Sequence, residues 1–226
     1  MSDSIAPARP SASVVIVRDG PGALEVLMLR RNEKIAFHGG AWVFPGGRVD
    51  ADDRAHDDES EIAVARQAAA REVMEETGLG VAADALLPFA HWTTPVELPK
   101  RFATWFFAAA VSADAAVTID QSEIVDFRWL TPAAAIAAQI GGELQLPAPT
   151  FVTLLGMRDM ADVGSLKAAL HGIEVQRFEP RIVPVEEGRC TVYREDAAYE
   201  TGEFNTPGPR HRLLMQGTEW QYIRDF

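Results

Sequence analysis

At 226 residues the chain is long enough for one sizeable domain, or one domain with an appendage, and its 47% apolar content can fill a proper core. A formal net charge of −12 argues against a nucleic-acid backbone as the main partner, though not against a phosphorylated small molecule, because divalent cations invert the local field. The single cysteine, Cys190, excludes an internal disulfide and argues against a cysteine-based zinc site. No run approaches the ~18 uninterrupted apolar residues of a membrane span. Met1 to Pro10 carries no apolar signal-peptide core, so a soluble protein of a reducing, cytoplasmic compartment is expected.

Met1 to Ser11 reads as a disordered lead-in. Ala12 to Arg18 and Leu24 to Arg31 are apolar and rich in β-branched residues, and the Asp19-Gly20-Pro21-Gly22 turn between them predicts a hairpin. Trp42-Val43-Phe44 leads into Pro45-Gly46-Gly47, where two glycines let the backbone turn tightly and approach a ligand, although such a tripeptide is most simply a turn. Residues 51–58 are polar and turn-like. Glu59 to Thr77 predicts a long helix with Ile62, Ala65, Ala69 and Val73 on its buried face, and Asp58 with Glu61 has the spacing of a capping box.

Leu86 to Thr94, Phe102 to Val111 and Ile124 to Leu130 read as strands. Thr131 and Pro132 then open an alanine-rich helix through Ile140, with Thr as N-cap and Pro at the first helical position. Pro147 to Met160 and Gly164 to Gly172 read as helices or helix fragments. From Glu174 onward, Arg181 to Glu186, Arg189 to Tyr193, His211 to Met215 and Glu219 to Ile223 alternate like short strands. We divide the chain at residues 11–172 and 173–226, the second part being either an extra sheet on the same core or a contact in a homodimer.

The chemistry concentrates in Arg71-Glu72-Val73-Met74-Glu75-Glu76-Thr77-Gly78-Leu79. On a helix Glu72, Glu75 and Glu76 stand at i, i+3 and i+4, on one face. Gly78 supplies the left-handed C-cap, so the acids crowd the end of the helix where the macrodipole is already negative. That is either a solvated acidic helix end or a site for a hard cation such as Mg²⁺ or Mn²⁺. Glu61 lies ~16 Å from Glu72 along the helix, too far to share a metal, and reads as a cap or a partner of Arg71. Arg71 reads as a residue that orients a carboxylate or ties down a loop.

Arg-Glu-(apolar)-x-Glu-Glu-x-Gly-(apolar) after a Pro-Gly-Gly turn resembles the signature of the Nudix hydrolases. The second half of that signature is complete in Arg71 to Leu79. The first half departs: the stretch from Gly47 to Arg71 is longer by roughly ten residues, accommodated by the insertion at 51–58, and the family's usual Glu eight before the Arg is Ala63. The resemblance covers about Ser11 to Met160. It implies an α/β/α sandwich around a mixed β-sheet, followed here by a C-terminal β-rich extension.

The same resemblance implies that Glu72, Glu75, Glu76 and the carbonyl of Gly46 bind Mg²⁺, with Mn²⁺ as the alternative, and that Glu72 occupies a position used as base in some members. Glu123, ranked ahead of Glu97, lies in a loop that can return to the metals, though both also read as plain surface acids. The expected catalytic group is Glu72, Glu76, Arg71 and Glu123, with Glu97 expected on the substrate side beside Arg101, Trp92 and Phe102. Arg101 suits a phosphate, its planar fork matching an oxyanion. Trp92, Phe102 and Trp105 either flank a nucleobase or belong to the core.

Within the family, the run from Phe37 to Asp50, Arg101-Phe102-x-Thr-x-Phe-Phe, and Leu146-Pro-x-Pro-Thr150 look most like the coenzyme A diphosphatase-like branch that includes the animal nucleoside-diphosphate-linked hydrolase 19. A second coenzyme A signature is half present: Gly40 and Phe44 fit, whereas its two arginine positions are Asn32 and Ala36. The expectation is a divalent-metal-dependent hydrolase that cleaves the pyrophosphate of a nucleoside diphosphate linked to another moiety, coenzyme A or acyl-CoA first. ADP-ribose or NADH is the alternative substrate, and a non-catalytic nucleotide-binding module the rival of a different class.

Overall fold

The structure is a computed structural model that describes residues 5–35 and 38–226. Its centre is β1 (Arg9–Asp19), which carries apolar side chains on both faces. Ala12, Val14 and Ile16 enter one core layer and Val15 and Val17 the other. A strand apolar on both sides belongs in the middle of a covered sheet. β2 (Leu24–Arg31) returns antiparallel to β1, with Val17 opposite Val26, as the hairpin signal predicts.

β3 (Trp42–Val43) pairs with β2, and β4 (Gly46–Arg48) pairs with the first half of β1, Gly46 opposite Ser13 and Gly47 opposite Ala12. β5 (Leu87–Thr93) and β6 (Phe102–Ala110) form an antiparallel pair, and β6 lies parallel to β1. β7 (Ile124–Leu130) joins β2, and β8 (Gln176–Phe178) runs parallel to β5 at the far edge. The sheet is therefore mixed.

The helix α1 (Glu61–Thr77) covers one face with Ala65, Ala68, Ala69 and Val73. The other face is covered by α2 (Pro132–Ile140), α3 (Ala148–Met157) and α4 (Val163–Leu170), through Ala135, Ile136, Phe151, Leu154, Met157 and Leu166. Helix, mixed sheet, helix is the sandwich expected. No helix among the described residues is long and apolar enough to cross a membrane.

β9 (Arg181–Val183), β10 (Arg189–Val192), β11 (Arg210–Gln216) and β12 (Glu219–Asp225) build a second, antiparallel sheet. Between β10 and β11 lies a single helical turn, α5 (Ala198–Thr201). Tyr193, Leu213, Trp220 and Tyr222 pack into the core layer beneath α2 to α4, while Val183, Cys190, Val192 and Tyr199 form a smaller cluster of their own.

Three local expectations are corrected. The strand β1 begins at Arg9, inside the stretch read as disordered lead-in, because its ladder with β6 starts there, Arg9 opposite Phe102. The N-cap of α1 is Ser60, whose hydroxyl accepts from the Ala63 N–H, and not Asp58. The Glu59 carboxylate accepts from the Ala55 and His56 N–H groups, so residues 55–59 close their own turn and the helix starts after it. Glu61 pairs with neither cap nor Arg71: it accepts from the Trp105 indole N–H at 3.1 Å, across the sheet from the arginine's end of the helix. At the other end Gly78 adopts φ 68° and closes α1 as the sequence requires.

Candidate active site

The helix α1 runs across the sheet from β6 toward β4. Its first residue meets Trp105 on β6, and its last turn reaches β4 and the end of β2. That last turn carries the three glutamates, each with a different partner. Glu76, only 7% exposed, accepts the Gly46 N–H at 2.8 Å. Glu72 lies against Gly47, where a Cβ would fall inside its carboxylate. The two glycines leave room for different neighbours: a Cβ at Gly46 would strike the Ala12–Ser13 backbone of β1 at a φ of 152°, and one at Gly47 would push the Glu72 carboxylate aside. Glu75 is exposed and meets the Arg71 guanidinium at 3.1 Å.

Arg71 ties the site together. Its Nε and one terminal nitrogen donate to both oxygens of Asp53 at 2.8 and 2.9 Å. The other terminal nitrogen donates to Glu72 at 2.9 Å and Glu75 at 3.1 Å, while the one shared with Asp53 also donates to the Arg48 carbonyl at 3.0 Å. Asp53 sits in a short 3₁₀ turn, Ala51–Asp53, within the insertion, and is buried. Arg71 therefore orients carboxylates and ties down a loop, through a partner the sequence reading did not single out.

The electrostatics follow from burial. Glu76 is pushed up to about 8, chiefly by desolvation and further by the charges of Glu72 and Glu123, against the opposing Gly46 N–H and Arg31. Burial also raises Glu72, with Arg71 working the other way. Glu123 precedes β7, where its carbonyl accepts from the Asn32 N–H and its carboxylate lies 3.7 Å from Arg31. Arg31, the last residue of β2, was also not singled out. Its side chain is largely buried, with Nε lacking a partner among the described residues, and its charge acts on both Glu123 and Glu76.

The substrate-side residues are placed differently. Arg101 donates to the carbonyls of Ala6 and Thr94, holding the start of the chain to the β5–β6 loop. Glu97 is exposed on that loop, which leaves the sheet at the end where β1 begins and where β4 is paired. Trp92 is inside the core, stacked on Phe178 with ring centroids 3.9 Å apart, and Phe102 is half-buried at the start of β6. Trp105 is likewise buried. Asn32, at the first arginine position of the second coenzyme A signature, donates to the Ser122 carbonyl; Ala36, at the other, lies outside the described residues.

The donor set suits a hard divalent cation: carboxylate oxygens, two of them on half- or fully buried side chains that repel each other. Among the described residues no three acidic, histidine or cysteine side chains are drawn together around one cation position. Arg71 and the Gly46 N–H take up carboxylate oxygens instead.

The sequence model of the NUDIX domain matches residues 7–147, well over half of the chain. The chain belongs to the Nudix family. A Caenorhabditis elegans relative named as a nudix hydrolase is 27% identical over 172 residues, 61% of this chain and 57% of that one. The acyl-coenzyme A diphosphatase NUDT19 of Xenopus laevis is 30% identical over 136 residues, 54% of this chain and 35% of that one. The Nudix chain described here thus spans between a third and a little over half of these relatives. A crystal structure of a NUDIX hydrolase from Alicyclobacillus acidocaldarius superposes with a TM-score of 0.64 at 21% identity, over 74% of this chain and 97% of that one, which establishes the shared fold. The family as a whole works with divalent metal ions, typically Mg²⁺.

Proposed function

We propose that the protein is a divalent-metal-dependent pyrophosphohydrolase acting on a nucleoside diphosphate linked to a second moiety, with coenzyme A or an acyl-CoA as first substrate. The observation that carries the reading is Glu76, a buried carboxylate on a backbone N–H with Glu72 beside it and, among the described residues, no ion pair of its own. An arrangement so unfavourable for anions serves a site that receives cations. The coenzyme A preference is supported by the name of the Xenopus laevis relative and by the matching motifs around residues 40–50 and 101–107.

Glu72, Glu75 and Glu76 would hold the metal. When bound, divalent cations neutralise the charge of a pyrophosphate and lower the pKa of water. The protein's own part is to fix the carboxylates: Gly46 through its N–H, Gly47 by leaving room for Glu72, Arg71 by its guanidinium fork. Glu123 would accept the proton given up by an attacking water; its carboxylate lies 3.7 Å from Arg31, which steadies its charge.

The test is a turnover panel in Mg²⁺ with coenzyme A, an acyl-CoA, ADP-ribose, NADH and a nucleoside triphosphate, products identified by mass. Coenzyme A is expected to give phosphopantetheine and adenosine 3′,5′-bisphosphate. AMP from ADP-ribose or NADH with coenzyme A untouched would keep the chemistry and discard the substrate. Tight nucleotide binding with no turnover would make the protein a binding module. The steric claim has its own check: Gly47→Ala is expected to displace Glu72 and lower kcat by about 100-fold, since an ångström of misplacement acts on that scale.

A further inference from the structure

The insertion at 51–58 is polar and mostly exposed, and its other acids, Asp52, Asp57 and Asp58, face solvent. Asp53 alone turns inward. Its side chain is only 4% exposed, and three donors converge on its two oxygens: Arg71 Nε, Arg71 Nη2 and the Asp50 N–H, at 2.8, 2.9 and 2.7 Å. A two-pronged carboxylate–guanidinium pair fixes the plane as well as the position of the arginine. With Nε and one face of the fork so held, the remaining nitrogen can only project along the helix end, where it bonds Glu72 and Glu75. The Arg48 carbonyl ties the same guanidinium to β4, next to Gly47.

We propose that Asp53 is a positioning residue of the active site: the insertion supplies the anchor that sets Arg71, and through it the Glu72 and Glu75 carboxylates. The inference rests on the metal-dependent reading of the three glutamates. A loop that merely filled space would not need a buried acid, and a buried acid that merely stabilised the loop would not need the one arginine that also grips two proposed metal ligands. Outer partners of metal-holding carboxylates act on affinity and rate by about 10- to 100-fold.

Asp53→Asn keeps the shape but loses the charge and one acceptor of the pair. It is expected to lower kcat 10- to 100-fold and to raise the Mg²⁺ concentration for half-maximal rate, with KM for the nucleotide substrate within about twofold. Without substrate, the Mg²⁺-induced rise in Tm should shrink by the same shift in metal affinity, so the inference is tested even if the substrate assignment fails. Asp53→Glu, which retains both oxygens, should recover part of both effects, and Asp52→Asn should match wild type. Arg71→Lys, which cannot bond as a fork, should reproduce Asp53→Asn, and the double variant should lose no more than either alone. If Asp53→Asn does not fold, Asp53→Glu decides: an intermediate loss in both kcat and the Mg²⁺ response supports the proposal, and wild-type values in both overturn it. A lower Tm for Asp53→Asn with unchanged kcat and unchanged Mg²⁺ response would overturn the proposal and leave Asp53 a loop anchor. Wild-type protein that turns over nothing but still gains stability from Mg²⁺ would count against the proposed function and not against Asp53.

Discussion

Replacing Glu76 by Gln is expected to lower turnover by about 100-fold or more, the scale on which single preorganised electrostatic contacts act, while raising the melting temperature of the metal-free protein. The two effects have one cause. A carboxylate with an ordinary value of 4.5 and a folded value of about 8 keeps its proton in the fold over a range where the unfolded chain has lost it. The contribution of Glu76 to stability is therefore greatest below about pH 4.5 and is lost as pH rises through 8, by a total on the order of 5 kcal/mol. Gln fits the same space and its carbonyl can take the Gly46 N–H, so the variant escapes the loss. Melting curves at pH 5 and pH 9, with chelator, should show wild type losing several degrees more than Glu76→Gln between them. Added Mg²⁺ should stabilise wild type and leave the variant nearly unmoved. Equal pH responses, or full activity in the variant, would remove Glu76 from the site.

The second large effect lies far from the glutamates. Asp196→Ala should destabilise the fold by about 3–5 kcal/mol, because it strands Arg212 as a buried, unpaired charge. The pair is closed from solvent, with side-chain exposures of 0% for Asp196 and 3% for Arg212. Asp196 receives Arg212 at 2.7 and 2.5 Å and also the N–H groups of Ala198 and His211, both at 2.9 Å. Arg212 donates onward to the Phe204 carbonyl. One carboxylate, in the turn after β10, thus ties α5 to β11, and its loss should open the second sheet before the first. Chemical denaturation should show the drop, and hydrogen exchange should place it in residues 181–225. Paired replacement of both residues by apolar ones of similar size should cost much less than either single change; equal costs would mean the charges do not depend on each other.

Where a pattern is local, the sequence predicted it closely. The strands β2 and β7 and the helix α2 fall where periodicity, Thr131 and Pro132 put them, and Gly78 ends α1 as its position requires. The glutamate face of α1 follows from spacing alone. What escaped was set by partners distant in the chain. The strand β8 is three residues long, and only its alignment with Ala90 to Trp92 makes it a strand. Glu61 pairs with Trp105 because α1 starts over β6, which no window along the helix reveals. Arg31 carries no signal beyond ending a strand. Asp53 did have one: an arginine in the signature, alanine at the position of its usual acid, and an acid-rich insertion just upstream.

The pairing of β1 with β6 has a consequence for how the chain is made. Ser11 and Thr104, 93 positions apart, share a hydroxyl hydrogen bond, and every residue from Arg9 to Val17 has its neighbour between 102 and 110. Once made, β1 therefore waits, at about 5–20 residues per second, for several seconds before its second edge is covered. During that interval an apolar strand stands open on one side, the form most prone to pair with a neighbouring nascent chain. Production of intact protein should be limited by this pause, and slower elongation after residue 31 should lower the soluble yield more than the same slowing after residue 110.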